Sequence, residues 1–478
     1  MVESAVPQVA IAVNVPLSTV AISTPHFEES RSVPSPCTRR QFLQNAALLG
    51  AGLWSSGGLS GALHAAANDR LRIACLGVGG QGALDAAAVA RLGDVVAICD
   101  IDEQALAARA AEDLFARAKI YRDYRRLFEE MADGFDAFTV SLPNHTHAHA
   151  SILGMRLGKH CFCQTPLAHS VGEVRQMMAV AKDKKLVTQL ANPSSVSGTL
   201  KQAAALIESG ALGTIREVHA WTNRPNWPQG KGIRHAAAEV PPSLHWDLFL
   251  GPAPHRAFAP EIYHPTNWRG WWDFGSGALG DQGCQLLDLP FRTLKLSAPT
   301  RIASAHSGHD RNEFPAWSVV RYEFPERGTR APLSLFWYDG GKRPSRELFL
   351  GRTRSASGLL IVGERDSLLL RDDLTEAPTL LHEQASIDAG PANGEPGPGL
   401  FEEWIQAIRG GAATSSDFVT VGGPLSETVL LGNLAVWMGP AAQTNGPVVE
   451  WDSESLSSPN LPELAPLIQP PSREGWSL

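Results

Sequence analysis

Short apolar runs alternate with helix-like stretches from about residue 71 onward, and this alternation limits the possible fold more than any other feature. Six runs predict β-strands, the first at residues 71–76 and the last at residues 186–190. Continuous apolar strands separated by helices indicate a parallel sheet that is covered on both faces. We therefore expect a doubly wound α/β domain over residues 68–193.

One predicted helix of this domain spans residues 102–118, because Leu106, Ala110 and Leu114 recur every four residues. After residue 193 the alternation gives way to extended runs. In residues 319–324 polar and apolar side chains alternate, which indicates an antiparallel sheet with one face in water. We expect an α+β domain with a large, mostly antiparallel open sheet over residues 194–457, and an extended Pro-rich tail over residues 458–478.

Composition excludes several classes of protein. The 478 residues carry 41 Lys and Arg against 49 Asp and Glu, a formal net charge of −8. This acidic balance disfavours nucleic-acid binding, and no apolar run predicts a membrane span. The 6 cysteines are too few for a disulfide framework in a chain of this length, so we expect buried thiols.

Residues 1–67 have the organisation of an export signal. Arg39 and Arg40 form a twin-arginine pattern, residues 46–63 are weakly apolar and uncharged, and residues 65–67 offer a small-residue cleavage site. The sequence predicts an exported, periplasmic protein that folds before export.

Residues 77–82 read G-x-G-x-x-G between a predicted strand and a predicted helix, the context that a dinucleotide-binding turn requires. The glycines permit a tight turn and a close approach of the backbone to a pyrophosphate. Asp100 ends the second strand, where a carboxylate would bind the adenosine ribose and repel a 2′-phosphate, so NAD is favoured over NADP. The turn residues expected to contact the cofactor are Gly77, Gly79, Gly80, Gln81 and Gly82.

From these features, and from the segments 142–145, 159–167 and 277–288, the chain resembles the Gfo/Idh/MocA oxidoreductase family. The resemblance implies a Rossmann domain, a second domain with an open sheet, and a carbohydrate substrate between them at the nicotinamide. It also implies association into a homo-oligomer through the open sheet. The further cofactor contacts that it implies are Leu142, Asn144, His145 and Gln164.

The chain departs from the family at two catalytic positions. Thr165 stands where the family has a lysine, and Gln285 stands where it commonly has a histidine. Thr and Gln can bind hydroxyls but cannot act as bases near neutral pH. Asp281 is then the one titratable member that remains, and His264 is a candidate substitute acid or base.

Three alternating histidines, His145, His147 and His149, follow the fourth strand. His145 and His149 have the i, i+4 spacing of a helical metal pair, but no third ligand accompanies them. We therefore predict no metal site. We expect a loop that places His145 near the nicotinamide, followed by a helix over residues 147–157.

Aromatic and guanidinium side chains of the second domain are candidate substrate contacts. Indole faces can stack on sugar rings, and Arg can bind hydroxyls or a carboxylate. The alternative is that these aromatic groups fill the core. The candidates are Arg224, Trp268, Arg269 and Trp271.

Three functions remain open from the sequence. The first is an NAD-dependent oxidoreductase of carbohydrates with a tightly held, recycled cofactor. The second is a catalytically impaired protein that binds NAD and sugar without turnover. The third is a redox-neutral, NAD-dependent lyase or glycosidase.

Overall fold

The computed structural model describes residues 70–192, 197–232, 236–382, 399–439, 442 and 446–478. The predicted export signal and the boundary predicted at residue 193 lie outside the described residues. The domain bounds therefore stay predictions.

The first sheet has six strands, and all of its pairings are parallel. Its order is β3-β2-β1-β4-β5-β6, so the chain reverses its direction of travel across the sheet between β1 and β4. This is the predicted doubly wound arrangement, which leaves a crevice at the carboxyl ends of the strands. The strands are β1 Arg72–Leu76, β2 Asp94–Cys99, β3 Lys119–Tyr121, β4 Ala137–Val140, β5 His160–Cys163 and β6 Thr188–Leu190.

Helices connect these strands and cover both faces of the sheet. They are α1 Gly80–Leu92, α2 Glu103–Ala110, α3 Tyr124–Glu130, α4 Asn144–Arg156 and α5 Val171–Asp183. The helix predicted over residues 102–118 ends early, at Ala110, and a 3₁₀ turn follows at Asp113–Phe115. The reason is that Phe115 is buried in the core in place of Leu114, which remains 48% exposed.

The second sheet has eight strands in the order β13-β12-β11-β7-β10-β9-β8-β14. Only the pairing of β7 with β10 is parallel among the strands described, so the predicted mostly antiparallel sheet is confirmed. The strands are β7 Ile215–Trp221, β8 Arg301–His306, β9 Ser318–Phe324, β10 Leu333–Tyr338, β11 Gly358–Gly363, β12 Ser367–Arg371, β13 Thr379–Leu380 and β14 Val449–Glu450.

The helices of this part of the chain are α6 Gly198–Glu208, α7 Trp246–Leu250, α8 Gly277–Thr293, α9 Leu400–Ile408, α10 Gly423–Trp437 and α11 Ala465–Ile468. α8 and α10 pack against each other and against the second sheet. Gly283 of α8 permits this contact, because a Cβ there would lie 2.8 Å from Val429 of α10. The continuous helical segment Phe418–Trp437 is long and apolar enough to cross a membrane, and 78% of it is buried in the core of the protein.

The tail differs from the extended chain that we expected. It forms a 3₁₀ turn at Pro462–Leu464 and then α11, and its Trp476 is 3% exposed. The Trp476 indole packs on Tyr124 of α3 and His149 of α4 because it fills an apolar site between these helices. The tail is thus part of the fold.

The five described cysteines are buried and free, as predicted. They are Cys75, Cys99, Cys161, Cys163 and Cys284.

Candidate functional site

A cleft of about 750 Å³ opens at the carboxyl ends of the first sheet and is walled on its other side by the second part of the chain. Most of the residues predicted for cofactor and substrate line it. They are Gly77, Gly79, Gly80, Gln81, Gly82, Asp100, Leu142, Asn144, Gln164, Thr165, Arg224, His264, Trp268, Arg269, Asp281 and Gln285. His145 and Trp271 do not.

The glycine turn has the close packing that its sequence predicts. Gly77 has φ +79°, and a Cβ there would lie 2.2 Å from the carbonyl oxygen of Ser141. A Cβ at Gly82 would lie 2.2 Å from the carbonyl oxygen of Gly77. The first N–H groups of α1 have no partner within the helix and present a partial positive charge, which suits a pyrophosphate. These residues therefore fit NAD.

Asp100 is more engaged with the backbone than we expected. Its Oδ2 accepts hydrogen bonds from the N–H groups of Val78 (2.8 Å) and Gly79 (3.2 Å), and its Oδ1 accepts one from Asp102 (3.1 Å). Burial raises the pKa of Asp100, while these bonds oppose the rise. A carboxylate accepts about four hydrogen bonds. Asp100 thus holds the glycine turn and retains capacity for about one ribose hydroxyl.

The structure places His145 outside the lining of the cleft that holds the other predicted cofactor contacts. α4 begins at Asn144, three residues earlier than predicted, so His145 lies in its first turn with 3% exposure. Its Nε2 is 2.8 Å from the carbonyl oxygen of Phe249, and its Nδ1 is 3.2 Å from that of Phe274. Burial lowers the pKa of His145 to about 3. The ring ties α4 to the second part of the chain and borders a separate cavity of about 240 Å³.

His147, and not His145, lines the cleft, and the sequence analysis did not predict this. Its Nε2 is 2.7 Å from the carbonyl oxygen of Leu142, and its Nδ1 is 3.0 Å from that of Pro166. Burial lowers the pKa of His147 to about 4. The ring braces the two backbone segments that carry cleft residues, so its role is to position them.

All three family catalytic positions line the cleft. Asp281 and Gln285 lie four residues apart on α8, and both line the cleft with Thr165. The Oδ1 of Asp281 accepts from Nε of Arg269 at 3.0 Å, and its Oδ2 accepts from Nε2 of Gln282 at 2.9 Å. Asp281 is therefore a fixed carboxylate, 24% exposed, and not a free one.

His264 lies apart from this catalytic group. Its Nε2 is 3.5 Å from Oδ2 of Asp102, in the loop that follows the ribose-binding position. Burial lowers the pKa of His264, and the carboxylates of Asp102 and Asp100 oppose the shift. This contact places His264 toward the adenosine end of the cleft, so the structure does not support it as the acid or base at the substrate.

Residues 243–264 contact the loop that follows β2 through both backbone and side-chain groups. The N–H of Glu103 donates to the carbonyl of Ser243 at 2.9 Å, and that of His245 donates to Ile101 at 2.9 Å. Nε2 of His245 also lies 3.0 Å from Oε1 of Glu103. We call these contacts, with the His264–Asp102 pair, the adenosine clasp, since they join the two parts of the chain beside Asp100.

The two tryptophans predicted at the substrate have different environments. Trp268 borders the cleft, and the guanidinium of Arg269 lies 4.5 Å from its ring centroid. Trp271 is 8% exposed, and its Nε1 donates to the carbonyl of Ile262 at 3.1 Å. Trp271 does not line the cleft, and its indole fills an apolar cluster with Phe274 and other aromatic groups, which favours the alternative that it fills the core.

Sequence reasoning also missed Asp85. This residue is 4% exposed, and three cleft-lining side chains donate to its carboxylate: Gln81, Ser141 and Gln164. A polar residue four positions after Gln81 on a helix was the signal that could have found it. In the part of the chain that the structure describes, no group of three or more His, Cys, Asp and Glu is arranged to hold a metal ion.

Two family models match the chain. Residues 71–192 match the "Oxidoreductase family, NAD-binding Rossmann fold", and residues 196–329 match the "Oxidoreductase family, C-terminal alpha/beta domain". Together they cover more than half of the chain.

Curated relatives match shorter segments. A levoglucosan dehydrogenase of Pseudarthrobacter phenanthrenivorans is 30% identical over 128 residues, which are 26% of this chain and 32% of that protein. A myo-inositol 2-dehydrogenase of Thermotoga maritima is 26% identical over 166 residues, 34% of this chain and 48% of that protein. The matches thus span a third to a half of these relatives.

Solved structures share the fold over most of their length. The WlbA dehydrogenase of Bordetella pertussis, in complex with NADH and UDP-GlcNAcA, has a TM-score of 0.56 at 17% identity and covers 80% of this chain and 99% of its own. An inositol dehydrogenase homolog of Azotobacter vinelandii, in complex with NAD⁺, has a TM-score of 0.54 at 20% identity and covers 80% and 98%. With the fold and the glycine turn, the two family models establish that the chain belongs to the Gfo/Idh/MocA family of oxidoreductases, with an NAD-binding Rossmann fold over residues 71–192.

Proposed function

We propose that the chain is an exported, NAD-dependent oxidoreductase that acts on a sugar, a polyol or a related carbohydrate. One observation carries the proposal: a single cleft holds the dinucleotide turn and, on α8, a carboxylate fixed by an arginine and an amide. The named levoglucosan and myo-inositol dehydrogenases support a hydroxyl-bearing ring as the substrate class.

Asp281 is the group that we assign to proton transfer. Bound NAD supplies the hydride acceptor for the substrate carbon. The Asp281 carboxylate takes the proton of the reacting hydroxyl, and Arg269 and Gln282 hold both of its oxygens in place. A base that is already oriented loses little freedom when the substrate binds, which favours reaction.

Thr165 and Gln285 bind the substrate in this proposal. Their hydroxyl and amide groups both donate and accept hydrogen bonds, which matches the hydroxyl groups of a sugar. Trp268 offers an indole at the cleft wall, and Arg224 offers donors for hydroxyl or carboxylate oxygens. The substrate is thus oriented by neutral groups around one carboxylate.

Export and a retained cofactor belong to the same proposal. The periplasm holds no circulating NAD pool, so an exported enzyme needs a cofactor that stays bound and is regenerated in place. The adenosine clasp supports retention, because it pins the loop beside Asp100 with contacts from the second part of the chain. Purified, folded protein should release NAD on denaturation, as measured by mass spectrometry; release of none would contradict retention.

A catalytically silent binding protein is the competing function, and the replacements at Thr165 and Gln285 favour it. The double variant Thr165→Lys/Gln285→His separates the two. We expect the parent to oxidise a sugar in a screen that follows reduced-nicotinamide fluorescence. A silent parent that gains dehydrogenase activity of tenfold or more above background on double substitution would establish the binding protein instead.

Two routes of recycling are compatible with a retained cofactor. One pairs the oxidation of one sugar with the reduction of another, and the other oxidises, eliminates and reduces again on a single substrate. In the second route substrate is consumed in many-fold excess over bound NAD with no added acceptor. A stoichiometry of about one substrate per NAD would exclude that redox-neutral lyase or glycosidase.

Homo-oligomerisation through the open sheet is the remaining part of the proposal. Ala303, Val319 and Phe336 are partly exposed apolar residues on neighbouring strands β8, β9 and β10, and Arg321 lies among them. We expect an assembly larger than a monomer by light scattering after gel filtration. Phe336→Glu should shift it toward the monomer, whereas a monomeric parent would contradict this part.

A further inference from the structure

Asp85 is a buried carboxylate that lies beneath the cofactor half of the cleft without lining it. Its Oδ1 accepts from Nε2 of Gln81 at 2.9 Å. Its Oδ2 accepts from Oγ of Ser141 at 2.7 Å and from Nε2 of Gln164 at 2.6 Å. The three donors belong to α1, to the residue after β4 and to the residue after β5, and all three line the cleft. Burial raises the pKa of Asp85, and the hydrogen bonds from Ser141, Gln81 and Gln164 oppose the rise. One carboxylate thus organises three elements of the cofactor wall.

The contact with Asp85 fixes the orientation of the Gln164 amide. An ionised carboxylate can only accept hydrogen bonds, so Gln164 must turn its NH₂ group toward Asp85. The amide oxygen is then left for a partner in the cleft. An acceptor at this place selects a ligand group that donates N–H or O–H. A reversed amide would instead present a donor and repel such a group.

We propose that Asp85 is a positioning residue that holds the Gln164 amide oxygen toward the carboxamide N–H of the nicotinamide. Gln164 follows β5, and the crevice at the carboxyl ends of such strands is where a doubly wound sheet binds its ligand. Asp85 itself touches no cofactor and acts through Gln164. The inference rests on the proposed function only in taking NAD as the cofactor.

Two ligands distinguish this role from a general structural one. NADH carries the nicotinamide, and ADP-ribose carries the same pyrophosphate and adenosine without it. The purified chain is unfolded to release its resident nucleotide and then refolded, and calorimetric titration of the refolded chain gives both dissociation constants. The nicotinamide contact predicts that the parent binds NADH more tightly than ADP-ribose. Equal affinity would overturn the inference.

Gln164→Glu is the first variant, because it places a second acceptor against Asp85. We expect about a tenfold loss of NADH affinity, the usual consequence of a buried polar group that loses its partner, and ADP-ribose affinity within about twofold of the parent. The double variant Asp85→Asn/Gln164→Glu restores a donor facing an acceptor, now with the amide at position 85. It should recover NADH affinity to within about threefold of the parent.

Leu84→Ala, on the same helix at a side chain that is 66% exposed, is the matched control and should bind both ligands as the parent does. If Gln164→Glu does not fold, Asp85→Asn must bind NADH more weakly than the double variant. Equal losses for NADH and ADP-ribose, or a double variant no better than its single variants, would overturn the inference. No sugar enters this measurement, so a negative result for Asp85 and Gln164 would not contradict the proposed carbohydrate substrate. Equally, an absence of sugar oxidation would not contradict the proposed role of Asp85.

Discussion

The cofactor half of the cleft is built largely from backbone, whereas the substrate half is built from side chains. In the cofactor half, glycines let peptide groups approach one another, and Asp100 anchors their N–H groups. In the substrate half, Asp281, Arg269 and Gln282 form a side-chain network on and beside α8. Backbone geometry tolerates few residue types, while a side-chain network can exchange members and still bind polar hydroxyls. The cofactor half can therefore keep the family pattern while the substrate half departs from it.

Gly77→Ala should give the largest effect, because it tests the backbone half directly. The added Cβ meets the carbonyl of Ser141 at 2.2 Å and also requires a positive φ. We expect NAD affinity to fall by about 100-fold or more, as measured by calorimetry, since the strand and turn must separate.

Gly158→Ala is the control for that experiment. Gly158 has φ +80°, but a Cβ there would meet nothing within 4 Å. It should cost about 1 kcal/mol of unfolding free energy and leave NAD affinity unchanged. Similar affinity losses in the two variants would show that strain, not close approach, governs the turn.

The adenosine clasp joins the two parts of the chain beside Asp100, and breaking it should have a smaller effect. His245→Ala/His264→Ala removes both imidazole–carboxylate contacts and leaves the backbone bonds to Glu103 and Ile101. We expect NAD to dissociate about threefold faster in stopped-flow displacement, because partly exposed pairs contribute little each. Arg126→Ala, which removes an exposed pair with Glu129, should leave the rate unchanged; an unchanged rate in the clasp variant would refute its role in retention.

The His147 ring braces the backbone at Leu142 and Pro166, and its burial predicts how the free energy of unfolding depends on pH. Its folded pKa of about 4 lies below the unfolded value near 6.5. The unfolded chain therefore binds more protons in this window, and His147 makes stability fall as the pH drops from about 6.5 to about 4. His147→Asn should reduce the proton uptake on unfolding by about one proton over this window, as measured from the free energy of unfolding against pH.

The structural features that the sequence predicts correctly are those with a period or a fixed turn. Strand and helix alternation gave the parallel sheet, and the glycine spacing located the cofactor turn. His145 was misplaced because α4 starts three residues earlier than its apolar pattern indicates, which moves the ring away from the cleft. The carboxylate of Asp85 accepts from Ser141 and Gln164, which are 56 and 79 residues away in the sequence, so no local pattern reveals these contacts. The burial of Trp271 depends on an apolar cluster that begins at Leu244.

Asp281→Asn tests whether Asp281 is the base, because asparagine keeps the shape of the side chain and can still accept from Arg269 but cannot take a proton. Single-turnover fluorescence of bound nicotinamide, after addition of a sugar that the parent oxidises, separates binding from chemistry. We predict that the variant binds NAD as the parent does and reduces it at least about 100-fold more slowly. Reduction at the parental rate would contradict the assignment of Asp281 as the base.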